Sequence, residues 1–443
     1  MKKAEKKFGK FRIILPAIIG HILEFYDFTI YAVFAVELGQ LFFPQSSSLS
    51  QLLSSLGVFS AGFIMRPIGG ILFGHIGDKY GRKLALTISV TGMAVVTGMI
   101  GILPDFNKVG ILAPFLLVLM RLLQGLCVGG EGTGASIFVL EHLHNIKPGL
   151  IGGIINSSLT LGILLAITTG LFLNNVCGKN EETWRYAFYL GSALGLAGLY
   201  LRLSVDETPA FKNVQKKIKA ESMPIKEVFL HSGKNMILTI AAGGVTGVSG
   251  YLVMTFLGVF FKNIMNYDTE TTLMYGILGN LALIIFLPLM GWISDHLGYA
   301  LTICCSCVMV LIFSIPLFHL LSNSNPLVVY FAIIAISFIS AGIYAPLYPY
   351  VLNLFLPEHR YSGIAFSLNI GIALFGGTST VICISLIKCT DILFMPAVYW
   401  VSVCSLFLLT MLWNQREENI SRASNRNSLI ISKLLTFRRN FHG

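Results

Sequence analysis

Charge is what this sequence has least of. Asp, Glu, Lys and Arg make up 12% of its 443 residues, about half the share of an ordinary soluble domain. Mean hydropathy is +0.76, which excludes a water-soluble globular fold. Ten-residue stretches of alternating apolar and polar residues are missing, so a membrane β-barrel is excluded as well. The opening MKKAEKKFGKFR has the basic character of a signal peptide. The apolar run behind it is too long, carries two acids and lacks a small-residue cleavage site, so it reads as a retained first span. Eight cysteines show no metal-ligand spacing. Cys127, Cys304, Cys305, Cys307, Cys383 and Cys404 fall in apolar runs, where cysteine behaves as a small hydrophobe. CCSC has neither a spaced partner pair nor a polar shell. Cys177 and Cys389 sit near outer span ends, and whether they pair is left open. GGEGTG follows no strand and lacks the G-K-[ST] ending of a phosphate loop, so close helix packing is its reading. No nucleophile–base or metal constellation can be assembled, and the chain is read as not an enzyme, with no metal and no cofactor.

What is present is a succession of apolar runs near the roughly 20 residues that cross a bilayer. Twelve are expected, over about 13–36, 52–75, 84–103, 110–140, 149–174, 184–204, 234–261, 271–294, 299–321, 326–353, 361–387 and 392–414. The fold class is therefore all-α and polytopic, with twelve transmembrane helices in two pseudo-symmetric six-helix bundles. With both termini in the cytoplasm, the Lys and Arg residues gather on the inner side. The net charge of +10 thus sets topology and does not call for nucleic acid. The expected location is the plasma membrane (a bacterial inner membrane), as a multi-pass monomer.

The longest polar interruption, 205–233, divides an N-terminal bundle (1–204) from a C-terminal one (234–414), with a basic cytoplasmic tail at 415–443. The two halves echo each other. GHIGDKYG (74–81) returns as GWISDHLG (291–298), and LEH (140–142) as PEH (357–359), both offset by about 217 residues. Two matches at one offset point to a duplicated six-span unit.

RPIGGILFGHIGDKYGRK (66–83) contains G-x-x-x-D-K-x-G-R-K. Its glycines allow a tight turn and close helix approach. Asp78 is placed to pair across the interface between halves or with a helix N-terminus, and Lys79, Arg82 and Lys83 anchor the inner side. The segment resembles the loop signature of the major facilitator superfamily, which makes Gly74, Asp78, Lys79, Gly81, Arg82, Lys83 and the repeat's Asp295 a gating loop. The repeat has Tyr299 and Ala300 where basic residues would stand. A finer resemblance, over most of the chain, is to the metabolite:proton symporter branch. GHILEFYDFTIY is similar to its G-N-x-x-E-W-[YF]-D-F-x-x-Y, RLLQGLCVGGEGTGAS to R-x-x-Q-G-x-x-x-G-G-E, and YLRLSVDETPAF to L-R-x-x-x-x-E-T-P-x-F. His21 replaces the usual Asn, and Asn156 stands where some members carry an acid.

Helix rise places Arg66 about 18 Å from the cytoplasmic rim, Glu24 roughly 17 Å and Asp27 roughly 22 Å beyond Arg12, and Glu131 about 15 Å from Glu141. Three acids and one arginine meet near mid-membrane, with Arg121 somewhat further out. Charges at that depth must face a polar cavity or one another. Static salt bridges, such as Arg66 with Asp27, are one reading, but acids outnumber bases by one. The other makes Glu24, Asp27 and Glu131 proton carriers. The substrate-binding set is Arg66, Arg121, Gln124, Tyr31, Asn156, Tyr344, Tyr348 and Asn369. Arginines would hold a carboxylate, and Tyr344, Tyr348 and Tyr350 would cage a cation or simply pack. Asn280 and Asn353 are further polar candidates. Pro346 and Pro349 predict a bent or broken helix whose freed carbonyls line a cavity.

The expected function is secondary active transport driven by a proton gradient, in which protons and a small zwitterion of the proline or betaine type enter together by alternating access. A small organic acid of the 2-oxoglutarate, citrate or shikimate type is the alternative substrate, and a channel or receptor the competing class. The tail, SLIISKLLTFRRNF, lacks sustained heptads and is expected on the anionic membrane surface.

Overall fold

The computed structural model describes residues 2–44, 48–143, 146–176, 182–215 and 224–416. The basic tail beyond 416 and Cys177 lie outside the described residues, and with Cys177 the question of its pairing to Cys389. Among the described residues the chain is helical throughout and forms no strand. The first half runs α1 (Lys2–Val33), α2 (Ala35–Phe42), α3 (Ser48–Lys79), α4 (Arg82–Ile102), α5 (Phe106–Val109), α6 (Leu112–His142), α7 (Pro148–Val176) and α8 (Thr183–Leu203). Two short helices, α9 (Pro209–Gln215) and α10 (Pro224–His231), occupy the polar connection. The second half runs α11 (Gly233–Tyr251), α12 (Leu257–Asn263), α13 (Thr269–Leu297), α14 (Tyr299–Leu320), α15 (Pro326–Tyr344), α16 (Leu347–Leu352), α17 (Arg360–Gly371), α18 (Ser379–Thr390) and α19 (Met395–Arg416).

Ten of the described helices are long and apolar enough to cross a membrane, counting α11 with α12, α15 with α16 and α17 with α18 as single spans. The other two expected spans appear as α3 and α8, 32 and 21 residues long. Repeated Tyr and Gly and two Arg residues dilute the apolar character of α8.

Packing inside each half relies on small residues, because lipid gives helices no hydrophobic reason to associate. α6 crosses α3 with backbones in contact: a Cβ on Gly125 would run into the Gly62 carbonyl, and one on Gly129 into the Arg66 carbonyl. GGEGTG is thus a packing surface. α15 breaks before Pro346, as Pro346 and Pro349 predict, and the Tyr344 carbonyl at the break accepts from Asn156 Nδ2 at 2.9 Å. Two π-helical turns, Leu252–Phe256 and Ile372–Gly376, widen the spans begun by α11 and α17. Such turns re-aim side chains and recur at functional sites. Nothing in the sequence marks them.

Candidate functional site: a buried polar cavity between the halves

A small cavity of about 40 Å³ lies between the two bundles, lined by His21, Glu24 and Phe25 of α1, Arg66 of α3, residues of α6, and Tyr251, Met254, Tyr344, Tyr348, Asn369 and Ile372 from the second half. The two π-helical turns bring Met254 and Ile372 to its wall, with Tyr251 immediately before the first.

α1 supplies the acids because His21, Glu24 and Asp27 recur every three residues and share one buried face. Their surroundings differ. Glu24 reaches the cavity, and its Oε2 has no hydrogen-bond partner. Across from it, Arg66 is held flat between Phe28 and Phe63, its Cζ 4.4 and 4.5 Å from the ring centroids, while its Nε is unpartnered. Aromatic faces hold a guanidinium without consuming its N–H groups.

Asp27 points away from the cavity lining into a chain of hydrogen bonds. Thr97 Oγ1 of α4 donates to Asp27 Oδ2 at 2.5 Å, Gln124 Nε2 donates to Thr97 Oγ1 at 2.8 Å, and Arg121 Nη1 donates to Gln124 Oε1 at 2.7 Å. Arg121 stacks on Tyr31, 4.2 Å to the centroid, and the Tyr31 hydroxyl donates to the Ser55 carbonyl. Arg121, Gln124 and Tyr31 thus connect to Asp27 and are absent from the cavity lining. Thr97 was not anticipated; a hydroxyl in an apolar helix carries no pattern.

Glu131 is placed differently from the other two acids. Arg202 Nη1 donates to both of its oxygens, at 2.6 and 2.8 Å, and Ser89 donates to Oε2 at 2.7 Å. Arg202 is itself buried and also bonds the Leu86 and Pro16 carbonyls. This corrects the charge count. With Arg202 the buried mid-bundle set holds three acids and three arginines, so the excess acid that spacing implied does not exist. Arg202 lies near the end of its span by residue number, and its long side chain reaches inward from there. The motif that contains it was the available signal.

The second half contributes Tyr344, Tyr348 and Asn369 to the cavity, as expected, and Tyr251, which was not. Asn369 Nδ2 donates to the Gly129 carbonyl across the interface at 3.0 Å. Asn156 likewise bridges the halves but is not a lining residue. Tyr350 is absent from the cavity, with its hydroxyl against Met411 Sδ at 3.0 Å. Asn280 bonds its own helix at the Gly276 carbonyl, and Asn353 lies on the terminus side near Asp295. A three-tyrosine cage of 344, 348 and 350 is therefore not formed.

On the side of the bundle that carries the start of α1 and the end of α19, two aspartates tie the halves together. Asp78 accepts from the backbone N–H groups of Tyr361 and Ser362 at 3.1 and 2.8 Å, at the first turn of α17. Asp295 accepts from those of Gly149 and Leu150 at 2.7 and 2.9 Å, at the first turn of α7. Unsatisfied N–H groups and the helix dipole make both favourable carboxylate sites. Asp78 thus pairs both across the interface and with a helix N-terminus. Arg82 adds a cation, 3.3 Å from Asp78 and 3.3 Å from Glu141, and donates to the Pro357 carbonyl. Arg360 of the second half closes on Glu141 at 3.1 Å. In the repeat, Tyr299 occupies the place of Arg82 and its hydroxyl lies 3.3 Å from Asp295. Gly81 and Gly298 have φ of +117° and +96°, conformations that need glycine. Gly74 packs on Ser362. Lys83 donates to the Leu203 carbonyl, and Lys79 lies over Tyr80.

Residues 17–380 match the Major Facilitator Superfamily. The chain is 31% identical over 423 residues to the glycine betaine/proline/ectoine/pipecolic acid transporter OusA of Dickeya dadantii (strain 3937), covering 92% of this chain and 84% of that one. It is 31% identical over 416 residues to the proline/betaine transporter of Escherichia coli (strain K12), covering 91% and 83%. Among solved structures, the proton:xylose symporter XylE bound to 6-bromo-6-deoxy-D-glucose superposes with a TM-score of 0.74 at 17% identity, over 92% of this chain and 95% of that one.

Proposed function

We propose, from the premise that this chain belongs to the major facilitator superfamily and is a transporter of that kind rather than an enzyme, that it carries a small zwitterion of the proline or betaine class into the cell together with a proton. The observation that carries the substrate class is the cavity wall, where a carboxylate and a guanidinium each present an unpartnered atom, Glu24 Oε2 and Arg66 Nε. A buried polar atom without a partner is costly, and a molecule with separated opposite charges relieves both at once. The substrates in the relatives' names agree with that demand. An organic acid fits less well, since Arg121, the second expected carboxylate ligand, lies outside the lining and a second carboxylate would face Glu24.

In this mechanism Asp27 takes the proton. It sits apart from the substrate, and its link through Thr97 and Gln124 to Arg121 gives a protonation change a route to α6, which lines the cavity. Protonation removes a mid-membrane charge before the cavity changes sides. Glu24 faces the substrate, and Glu131 with Arg202 holds α6 to α8. With both termini in the cytoplasm of a cell bounded by its plasma membrane, the Asp78 and Asp295 ties close the inward path. One subunit contains the whole pathway, so a monomer suffices.

The test is uptake into liposomes carrying the purified protein, with an imposed inward proton gradient and proline, glycine betaine, 2-oxoglutarate and citrate compared. Accumulation of a zwitterion, abolished by a protonophore, is the expected outcome. Accumulation of an acid alone would replace the substrate class, and gradient-independent equilibration would remove the proton.

A further inference from the structure

Two α1 residues that line the cavity each carry a hydrogen-bond acceptor with nothing to accept from. His21 is completely buried. Its Nε2 lies 2.9 Å from the Gly132 carbonyl oxygen, an atom that only accepts, so the ring proton sits on Nε2. In the uncharged ring Nδ1 then carries the lone pair, and no N–H or O–H reaches it. One turn further along, Glu24 Oε2 is also without a donor. Gly132 lies between the two: His21 bonds its carbonyl, and a Cβ built on it would stand 2.7 Å from Glu24 Oε2. Both side chains therefore converge on one point of α6, where a Cβ would have to displace the Glu24 carboxylate.

We infer that His21 and Glu24 together read N–H groups on the substrate's cationic nitrogen, so that the site selects primary and secondary ammonium zwitterions over fully methylated ones. This rests on the zwitterion reading above and sharpens it. With the substrate carboxylate on Arg66, the cationic nitrogen falls to the remaining orphan atoms, which are two acceptors. A secondary ammonium, as in a cyclic imino acid, has two N–H groups and satisfies both. An N-methylated one has a single N–H, and a quaternary one has none. The aromatic residues Phe25, Tyr251, Tyr344 and Tyr348 attract a cation of any methylation state through their ring faces, so they admit methylated substrates without rewarding N–H. Discrimination comes from the cost of leaving a buried acceptor unpaired when an N–H is replaced by a methyl.

The experiment is direct binding to the purified full-length protein by titration calorimetry, using proline, N-methylproline and N,N-dimethylproline. Pipecolic acid, one ring carbon larger with both N–H groups kept, controls for bulk. Affinity is expected to fall by about tenfold with each N–H lost, while pipecolic acid stays close to proline. In His21→Leu, proline weakens by about tenfold and N,N-dimethylproline does not change, so the selectivity ratio falls. A merely structural role for His21 would move all four ligands together, and that outcome overturns the inference. So does equal or tighter binding of N,N-dimethylproline by the unaltered protein, a result that needs no variant and leaves the zwitterion reading standing. Failure of all four to bind, with 2-oxoglutarate or citrate binding instead, overturns both.

Discussion

The two halves share a fold and a repeat, yet they divide the chemistry unequally. Every buried charged side chain among the described residues belongs to the first half: Glu24, Asp27, Arg66, Asp78, Arg82, Arg121, Glu131, Glu141 and Arg202. The second half buries only uncharged polar groups, such as Asn280 and Asn369, with serines and threonines that mostly bond their own helix. One bundle therefore holds the buried charges at fixed positions, and the other supplies an aromatic and amide wall around the cavity, with Arg360–Glu141 as an ion pair between the halves on the terminus side. At the interface the bonds are few, directional and made mostly to backbone groups, with the Arg360–Glu141 pair beside them, so a rocking motion has only a small set to exchange.

If the charged half does the coupling, Asp27→Asn has the largest effect. Proton-driven accumulation falls to the equilibrium level while substrate exchange across the membrane persists, measured in proteoliposomes with and without the gradient. Continued accumulation would remove Asp27 from the proton path. The Glu131–Arg202 pair should behave in the opposite way. Arg202→Met alone leaves a buried carboxylate unpaired and costs on the order of 3–5 kcal/mol, read as a lowered melting midpoint in lipid nanodiscs. The double variant Arg202→Met with Glu131→Gln should recover most of that loss and retain coupling. A recovered fold without coupling would return Glu131 to the proton path.

Across the cavity, Arg66→Lys should weaken substrate binding roughly 10- to 100-fold, because an ammonium cannot lie flat between Phe28 and Phe63 or offer a fork of donors. Tyr348→Phe on the opposite wall keeps the ring face and should change affinity by about threefold or less. A larger loss from the tyrosine than from the arginine would reverse the division between the halves.

Much of this division was legible in the residues. Run length gave the helical spans, and the repeated GxxxD loop marked where the halves meet. Carboxylates in apolar runs marked the first-half site, since few alternatives tolerate a charge at that depth. The missing parts share a physical cause: they are uncharged or reach their partner from afar. Thr97 and Tyr251 look like ordinary span residues until the fold brings them to Asp27 and the cavity. Arg202 reads as an end-of-span residue, and only its side-chain length takes it to Glu131. Tyr350 fails for the opposite reason, since the break at Pro346 turns it toward Met411 while Tyr348 keeps the cavity.

The smallest expected effects come from the two ties on the terminus side, where the repeat offers its own control. Asp78 and Asp295 cap equivalent helix starts with similar distances, but Asp78 also holds Arg82, and through it Glu141 and Arg360. Among the described residues, no Lys or Arg lies within ion-pair reach of Asp295, which has the Tyr299 hydroxyl in the place of Arg82. Losing a helix cap costs about 0.5–2 kcal/mol, and losing a buried charge partner adds to that. Spin labels at Tyr80 and Leu356, both exposed and outside the hydrogen-bonded set, would report the separation of the halves. Asp78→Asn should populate the separated state strongly and Asp295→Asn only weakly, since less is tied to it. Tyr299→Arg gives the second tie the cation it lacks and should reduce that population below that of the unaltered protein. Equal responses to the two Asn substitutions would mean that the backbone caps alone carry the closure, with the Arg82 network adding nothing to it.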